Sequence, residues 1–155
     1  MNKLFLFIAL LVLSAVYAAD IKQVNTVSTN GAIAAAEAVF KAARKASHTV
    51  SVAVIDRSGK YRLLISDDNA GCQTEESAKR KAFTAVSFGR PTSNLTAAAG
   101  ASGITIHDIP NTLFLAGGVP ITYKGVPIGA IGVGGAPTGD LDEQHARAGL
   151  AAIHL

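Results

Sequence analysis

The feature that most constrains the fold is a glycine-rich, largely apolar segment near the C-terminus, GGVPITYKGVPIGAIGVGGAPTGD (residues 117–140), in which eight positions are glycine. Two of its stretches, ITY and VPIGAIGV, flank Lys124-Gly125 and predict a β-hairpin. Gly129 and Gly132 then lie inside a strand. Glycine weakens a strand, so its presence there usually indicates a bulge or the close approach of another backbone or a ligand.

The rest of the chain predicts short strands joined by short connections. Strands are expected at 49–56, 61–66, 111–116, 121–123 and 126–133, and helices at 29–46, 74–88, 92–100 and 140–153. A parallel pair needs a crossover of about a dozen residues or more, so strands this close in sequence must pair antiparallel. The prediction is an α+β fold with a five-stranded antiparallel sheet flanked by helices.

The first eighteen residues, MNKLFLFIALLVLSAVYA, combine one lysine, an apolar run too short to span a bilayer comfortably, and small residues before a cleavage point after Ala18. This pattern predicts a signal peptide over 1–18, a single domain over 19–155, and a periplasmic or secreted protein with no stable membrane span after cleavage. A retained N-terminal anchor is the alternative. The 137 residues that follow are enough for one domain with a core of its own.

Charge and cysteine content exclude several classes of protein. The net charge of +3 falls to +2 when Lys3 is removed, and basic and acidic residues are interspersed, which is not the footprint of a nucleic-acid-binding protein. The one tight basic cluster, Lys79-Arg80-Lys81, is expected to be a solvated helix face. Cys72 is the only cysteine, so no intramolecular disulfide can form, and we interpret it as an inert thiol.

Signatures of nucleotide-binding and hydrolytic sites are missing. The sequence has no G-x-x-x-x-G-K-[ST] and no G-x-S-x-G, and GVGGAP carries Pro137 where a dinucleotide fingerprint needs its third glycine. The segment GGAPTGD leads into a helix start. It either holds a small anion or ligand carboxylate on free backbone N–H groups, or it only closes a loop and caps the helix.

Four histidines are candidate ligands, but no two of them have a metal-binding spacing. His48 shares strand parity with Val50 and the valines that follow, and so is directed toward an apolar layer. His107 is followed by Asp108, which could accept the second N–H of a ligating imidazole. His145 and His154 are weaker candidates.

Three segments together resemble a known family: SVAVID followed by SG, then AKRKAFTAVSFGRPTSNL, then the glycine-rich run through ARAGLAAI. They are similar to the HbpS/GlcG-type haem-binding family, a former domain of unknown function that also occurs as the C-terminal domain of a corrinoid adenosyltransferase. The resemblance extends over about residues 26–153. It implies a profilin-like five-stranded antiparallel sheet, assembly into homo-oligomers, and a haem or related small molecule as partner.

A haem site requires an apolar slot, an axial ligand and cations near the propionates. On this resemblance, His48 and His107 are the candidate metal ligands, and Lys81 and Arg90 are the candidate propionate partners. The alternatives to a histidine ligand are Tyr61, Tyr123, a hydroxyl group, or purely apolar binding. No C-x-x-C-H occurs, so the haem would be bound without covalent attachment.

Three functions stay open on the sequence: an exported haem-binding protein for storage, transport or sensing; an enzyme that degrades haem or acts on a small metabolite; and an oligomeric interaction module with no small ligand.

Overall fold

The computed structural model describes residues 22–100 and 109–155, with the backbone alone over 97–100. The predicted signal peptide and His107 lie outside these residues. The helices are α1 (Thr29–Lys45), α2 (Cys72–Phe88), α3 (Thr92–Gly100) and α4 (Gly139–Ala151); the strands are β1 (Ser51–Asp56), β2 (Tyr61–Ser66), β3 (Gly118–Tyr123) and β4 (Val126–Gly134). No helix in the described ranges is long and apolar enough to cross a membrane.

The described strands form one antiparallel sheet in the order β2-β1-β4-β3. Two hairpins, β1-β2 and β3-β4, lie side by side because β1 pairs with β4, with Ser51 opposite Gly134 and Asp56 opposite Gly129. This register places the turn between β1 and β2 next to the turn between β3 and β4. The α+β prediction is therefore confirmed, with both predicted hairpins present.

Helices cover both faces of the sheet. On one face, α1 and α4 pack against the side chains that β1 and β4 direct toward them, and these side chains form the larger hydrophobic core cluster. Val52, Val54 and Ile131 belong to this cluster. On the other face, α2 packs its small residues, including Ala78 and Ala82, on Ala53 and its neighbours. Because both faces are covered, β1 is buried over its first five residues, whereas the edge strand β2 is mostly exposed.

Glycine allows α2 to approach the sheet closely. A Cβ on Gly132 would overlap the carbonyl oxygen of Ala78 in α2, whereas one on Gly129 would overlap the carbonyl oxygen of Ile55 in the neighbouring strand β1. Close approach of another backbone, one of the alternatives predicted for these two strand glycines, is confirmed. The glycine-rich run is therefore a closely packed sheet rather than a linker.

The fifth predicted strand, residues 111–116, is wrong: the described residues contain four strands, and this segment has no regular structure. Side chains of α2 and α3 form hydrogen bonds with the backbone N–H and C=O groups that a strand would pair with a neighbouring strand. Arg80 donates to the Thr112 carbonyl (2.6 Å), the Leu113 N–H donates to Thr84 Oγ1 (2.7 Å), and Thr96 donates to the Phe114 carbonyl (2.8 Å). Backbone groups satisfied in this way have no need of a neighbouring strand.

Candidate functional site

Two cavities lie at opposite ends of the sheet. The α4 cleft, about 680 Å³, lies where β4 ends and α4 begins, and its lining includes Ser77, Lys81, Ser93, Thr96, Thr138, Asp142 and the backbone of 135–139. The strand-turn pocket, about 510 Å³, lies where the two hairpins turn, and its lining includes Val24, Asp56, Arg57, Arg62, Tyr123, Lys124, Val126, Pro127 and Ile128, together with Lys22. Both volumes are typical of sites for small molecules and cofactors.

A buried ion pair forms the base of the α4 cleft. Lys81 Nζ donates to Asp142 Oδ2 (2.6 Å) and to the Val133 carbonyl (3.1 Å), and the Lys81 and Asp142 side chains are each 4% exposed. The interpretation of Lys79-Arg80-Lys81 as a solvated face is therefore wrong for Lys81. The third residue of the cluster points inward because α2 lies directly on the sheet.

Asp142 is held from two sides. Its second oxygen, Oδ1, accepts the Ala136 N–H (2.9 Å), which closes the loop before α4. Burial raises the pKa of the Asp142 carboxyl, while Lys81 and the Ala136 N–H act in the opposite direction. The pair thus joins α2, the end of β4 and the start of α4, and the charge of Lys81 is already balanced.

The segment GGAPTGD closes a loop and caps a helix, which was one of its two predicted roles. Thr138 is the N-cap of α4 and accepts the Leu141 N–H (3.3 Å). Asp140 and Asp142 lie in the first turn, where a carboxylate is favourable to the helix dipole. The described lining of the α4 cleft contains two acids and one lysine that is already paired, so these residues offer no free positive charge to an anion.

His48 contacts a second histidine. Its Nδ1 lies 3.0 Å from Nε2 of His145, which is buried on α4, so one imidazole donates to the other. Burial lowers the pKa of His145, and the neighbouring His48 lowers it further. The pair lies near the start of β1, at the end of the sheet away from the strand-turn pocket. In the described ranges, no three His, Cys, Asp or Glu side chains converge as a metal site.

The strand-turn pocket has an apolar floor. Ile128 belongs to the core, whereas Val24 and Val126 are 72% and 59% exposed and present apolar surface to solvent. Tyr123, the last residue of β3, packs its ring against the same core. An apolar ligand could cover these side chains and remove them from water.

Four cations surround this floor: Lys22, Arg57, Arg62 and Lys124. Within residues 22–100 and 109–155, none of them has a carboxylate within ion-pair distance. Arg57 donates to the Val86 carbonyl (3.1 Å), and Lys124 Nζ lies 5.3 Å from the centre of the Tyr123 ring. Among the described residues the lining contains one acid, Asp56, which accepts the Ser58 and Lys60 N–H groups of its own turn. The described lining therefore carries excess positive charge.

The candidates from the sequence are divided between the two ends of the molecule. Lys81 lies in the α4 cleft and Tyr123 in the strand-turn pocket, whereas His48 lines neither cavity. Arg90 is exposed and lines neither, although it follows the C-cap Gly89, which lies beside Pro127 of the strand-turn pocket. Tyr61 is exposed on the edge strand beside α2.

Sequence reasoning missed Asp142, Arg57 and Arg62. Nothing in the sequence relates Asp142 to Lys81, which is 61 residues away. A weak signal for the cationic pocket was present, since each hairpin turn contains a basic residue, Arg57 in one and Lys124 in the other. The pairing of β1 with β4, which brings the turns together, has no local sequence signature.

Comparisons with known proteins give a consistent result. A family model described as haem degrading protein HbpS-like matches residues 27–151. The crystal structure of a double mutant of HbpS from Streptomyces reticuli is 49% identical, covers 88% of this chain and 92% of its own, and superposes with a TM-score of 0.84.

More distant relatives cover nearly as much of the chain. The crystal structure of a PduOC:heme complex is 25% identical, covers 84% of this chain and 96% of its own, and has a TM-score of 0.77. A Citrobacter freundii protein, described as an uncharacterized 15.0 kDa protein in the dhaT-dhaS intergenic region, is 30% identical over 118 residues, which are 74% of this chain and 83% of that protein.

Proposed function

The chain belongs to the HbpS-like family, and from this premise we propose that it binds haem without covalent attachment, in the strand-turn pocket. The observation that carries the proposal is the excess of cations around an apolar floor. Haem presents the complementary surface, a broad apolar ring with two carboxylates on one edge. A related protein of similar fold is known as a heme complex, which supports the same ligand class.

The two cavities fit haem differently. Among described residues, the lining of the α4 cleft contains no His, Tyr or Cys, and its lysine is paired with Asp142. The strand-turn pocket supplies a tyrosine, apolar side chains and four cations without carboxylate partners. Arg57 and Arg62 suit the carboxylates best, because a guanidinium can donate two parallel hydrogen bonds to a carboxylate.

Titration of the purified protein with hemin tests the proposal. We expect a Soret band that shifts and saturates at one haem per chain. The double variant Arg57→Ser/Arg62→Ser should weaken binding at least about tenfold, since a charge-assisted hydrogen bond contributes about 1.5–3 kcal/mol. Arg90→Ser is the matched control, an exposed arginine outside the pocket, and should bind as the wild type does. Absence of a saturable band in the wild type would refute haem binding.

Haem degradation is the second candidate, because the matching family model is described as a haem degrading protein. The two candidates differ in the fate of the bound haem. A binding protein keeps its Soret band when a reductant is added in air, with the shift expected for reduced iron. A degrading enzyme loses the band and releases iron that a ferrous chelator detects.

Export belongs to the same proposal, on the pattern of residues 1–18. The mature protein would begin near Ala19, lie in the periplasm or be secreted, and serve in storage, transport or sensing of haem. Intact mass of protein recovered from the periplasm or medium tests this. Soluble protein with the full-length mass would contradict it.

Homo-oligomer formation completes the proposal. The edge strand β2 exposes Tyr61 (52%) and Ile65 (45%), together with the unpaired backbone groups of a sheet edge, and such an edge favours pairing with another chain. Light scattering after size-exclusion chromatography should give a dimer or a larger assembly. A monomer at micromolar concentration would count against this part of the proposal.

A further inference from the structure

Tyr123 occupies a fixed position in the strand-turn pocket. It is the last residue of β3, opposite Val126, and follows an irregularity in the strand pairing between Ile121 and Thr122. Its half-buried ring packs against the core, and Lys124 covers it. Within the described part of the chain, its hydroxyl has no hydrogen-bond partner, so the oxygen is free to meet a ligand in the pocket.

The pocket offers few other donors to iron. Haem iron in proteins is usually held by His, Cys, Met or Tyr. The side chains that line the strand-turn pocket include Tyr123 and no His, Cys or Met among the described residues. His48 cannot serve this pocket from its place near the opposite end of β1, where His145 occupies its Nδ1. Tyr61 faces α2 instead.

Resting on the proposed haem binding, we infer that Tyr123 is the axial ligand of ferric haem bound in the strand-turn pocket. On binding, the phenolic O–H bond breaks, the phenolate oxygen replaces the water or hydroxide that ferric hemin carries in solution, and that ligand and the proton pass to solvent. The iron keeps its oxidation state, so no oxidant or reductant takes part. Lys124, whose Nζ lies 5.3 Å from the centre of the Tyr123 ring, adds positive charge near the ligand, while the arginines are left for the haem carboxylates.

Tyr123→Phe tests the assignment with a change of one oxygen atom. Wild-type protein loaded with hemin should show a high-spin ferric spectrum with the phenolate-to-iron charge-transfer band and, by resonance Raman, the modes of an iron-bound phenolate. The variant should lose the charge-transfer band and the Raman modes of the bound phenolate. It should also bind hemin at least about tenfold more weakly, a loss of roughly 1.4 kcal/mol in binding free energy. Tyr61→Phe is the matched control and should behave as the wild type.

Protoporphyrin IX, which lacks iron, distinguishes the contribution of the iron ligand Tyr123 from the contribution of the rest of the pocket. Tyr123→Phe should bind this probe within about twofold of the wild type, because the apolar floor and the cations are unchanged. Arg57→Ser/Arg62→Ser should weaken the binding of both probes. Circular dichroism confirms that each variant is folded, and the Raman spectrum of the wild type tests the ligand without any variant.

Three outcomes would overturn the inference, and they distinguish a wrong ligand from the absence of haem binding. If hemin binds and Tyr123→Phe keeps the wild-type spectrum, or if His48→Ala loses it, Tyr123 is not the ligand although haem binding stands. If the wild type binds neither hemin nor protoporphyrin IX, the proposed function fails and the ligand assignment fails with it.

Discussion

Positively charged side chains have opposite environments at the two ends of the sheet. At the α4 cleft, Lys81 is buried, bonded to Asp142 and the Val133 carbonyl, and enclosed by glycine backbone. At the strand-turn pocket, Arg57, Arg62 and Lys124 are exposed above apolar side chains and lack a carboxylate within the described residues.

The difference indicates what each end does. A buried charge is tolerated only when it is paired, so the α4 end uses Lys81 to hold three elements together. Exposed cations without a carboxylate partner contribute little to the fold and are available to an anionic ligand. We therefore regard the α4 end as structural and the strand-turn end as the binding site, and four measurements test this distinction.

Removal of Asp142 should have the largest effect. Asp142→Ala leaves the Lys81 ammonium buried without its carboxylate and frees the Ala136 N–H. Breaking a buried pair in this way costs about 3–5 kcal/mol in the free energy of unfolding. Urea unfolding measures the change, and Asp140→Ala, an exposed acid of the same helical turn, is the control. Equal losses in the two variants would show that the ion pair does not hold the α4 end together.

Gly132→Ala should have the next largest effect. The added methyl group would overlap the Ala78 carbonyl and lie 2.6 Å from the Ala82 N, so α2 must move away from the sheet. Overpacking of this kind costs about 1–3 kcal/mol, measurable by thermal or urea unfolding. Gly125→Asn is the control, because the turn has open space there and asparagine tolerates its φ of 78°. Wild-type stability in Gly132→Ala would mean that the contact is loose.

Lowering the pH should destabilise the folded protein less than either substitution does, and this effect should depend on His145. Its pKa is lowered in the folded protein, mainly by burial and also by His48, so below about pH 6.5, the unfolded pKa, the unfolded chain binds more protons. Stability should fall as the pH decreases through this range, by no more than about 1.4 kcal/mol per pH unit for one proton.

The variant His145→Gln should show less of this pH dependence in urea unfolding between pH 7.5 and 5.5. His154→Gln, at an exposed position near the C-terminus, should keep it. If both variants respond to pH as the wild type does, the His48–His145 pair does not control the acid sensitivity. The pH dependence of stability is thus expected to arise at the α4 end of the sheet, which we regard as structural.

Loss of the cations should change stability least. Arg57→Ser/Arg62→Ser removes exposed charges without carboxylate partners among the described residues, but it also breaks the hydrogen bonds of Arg57 to the Val86 carbonyl and of Arg62 to the Thr29 hydroxyl. The free energy of unfolding should fall by about 0.5 kcal/mol per site, the lower end of the net contribution of a hydrogen bond, because both arginines are exposed. Hemin affinity should nevertheless fall, whereas Asp142→Ala, where it folds, should retain it. A large loss of stability in the arginine variant, or a loss of hemin affinity confined to Asp142→Ala, would reverse the roles assigned to the two ends.

Much of the fold could be predicted from local sequence patterns. Both hairpins and the end of α2 could be predicted because their signals depend on a few neighbouring residues. These signals are the alternating valines of β1, the turns RSGK and YKG, and Gly89 at the end of α2. Residues 111–116 misled the prediction, since an apolar run cannot reveal that Thr84, Arg80 and Thr96 will take its backbone groups.

The site depended on contacts between residues distant in sequence. Local patterns were enough to identify the family, the antiparallel hairpins and the strand glycines that need close packing. The contact of Lys81 with Asp142, the contact of His48 with His145 and the proximity of the two hairpin turns became visible in the folded molecule alone. They follow from the pairing of β1 with β4 and from helices packing across the sheet, and both depend on burial in the whole molecule.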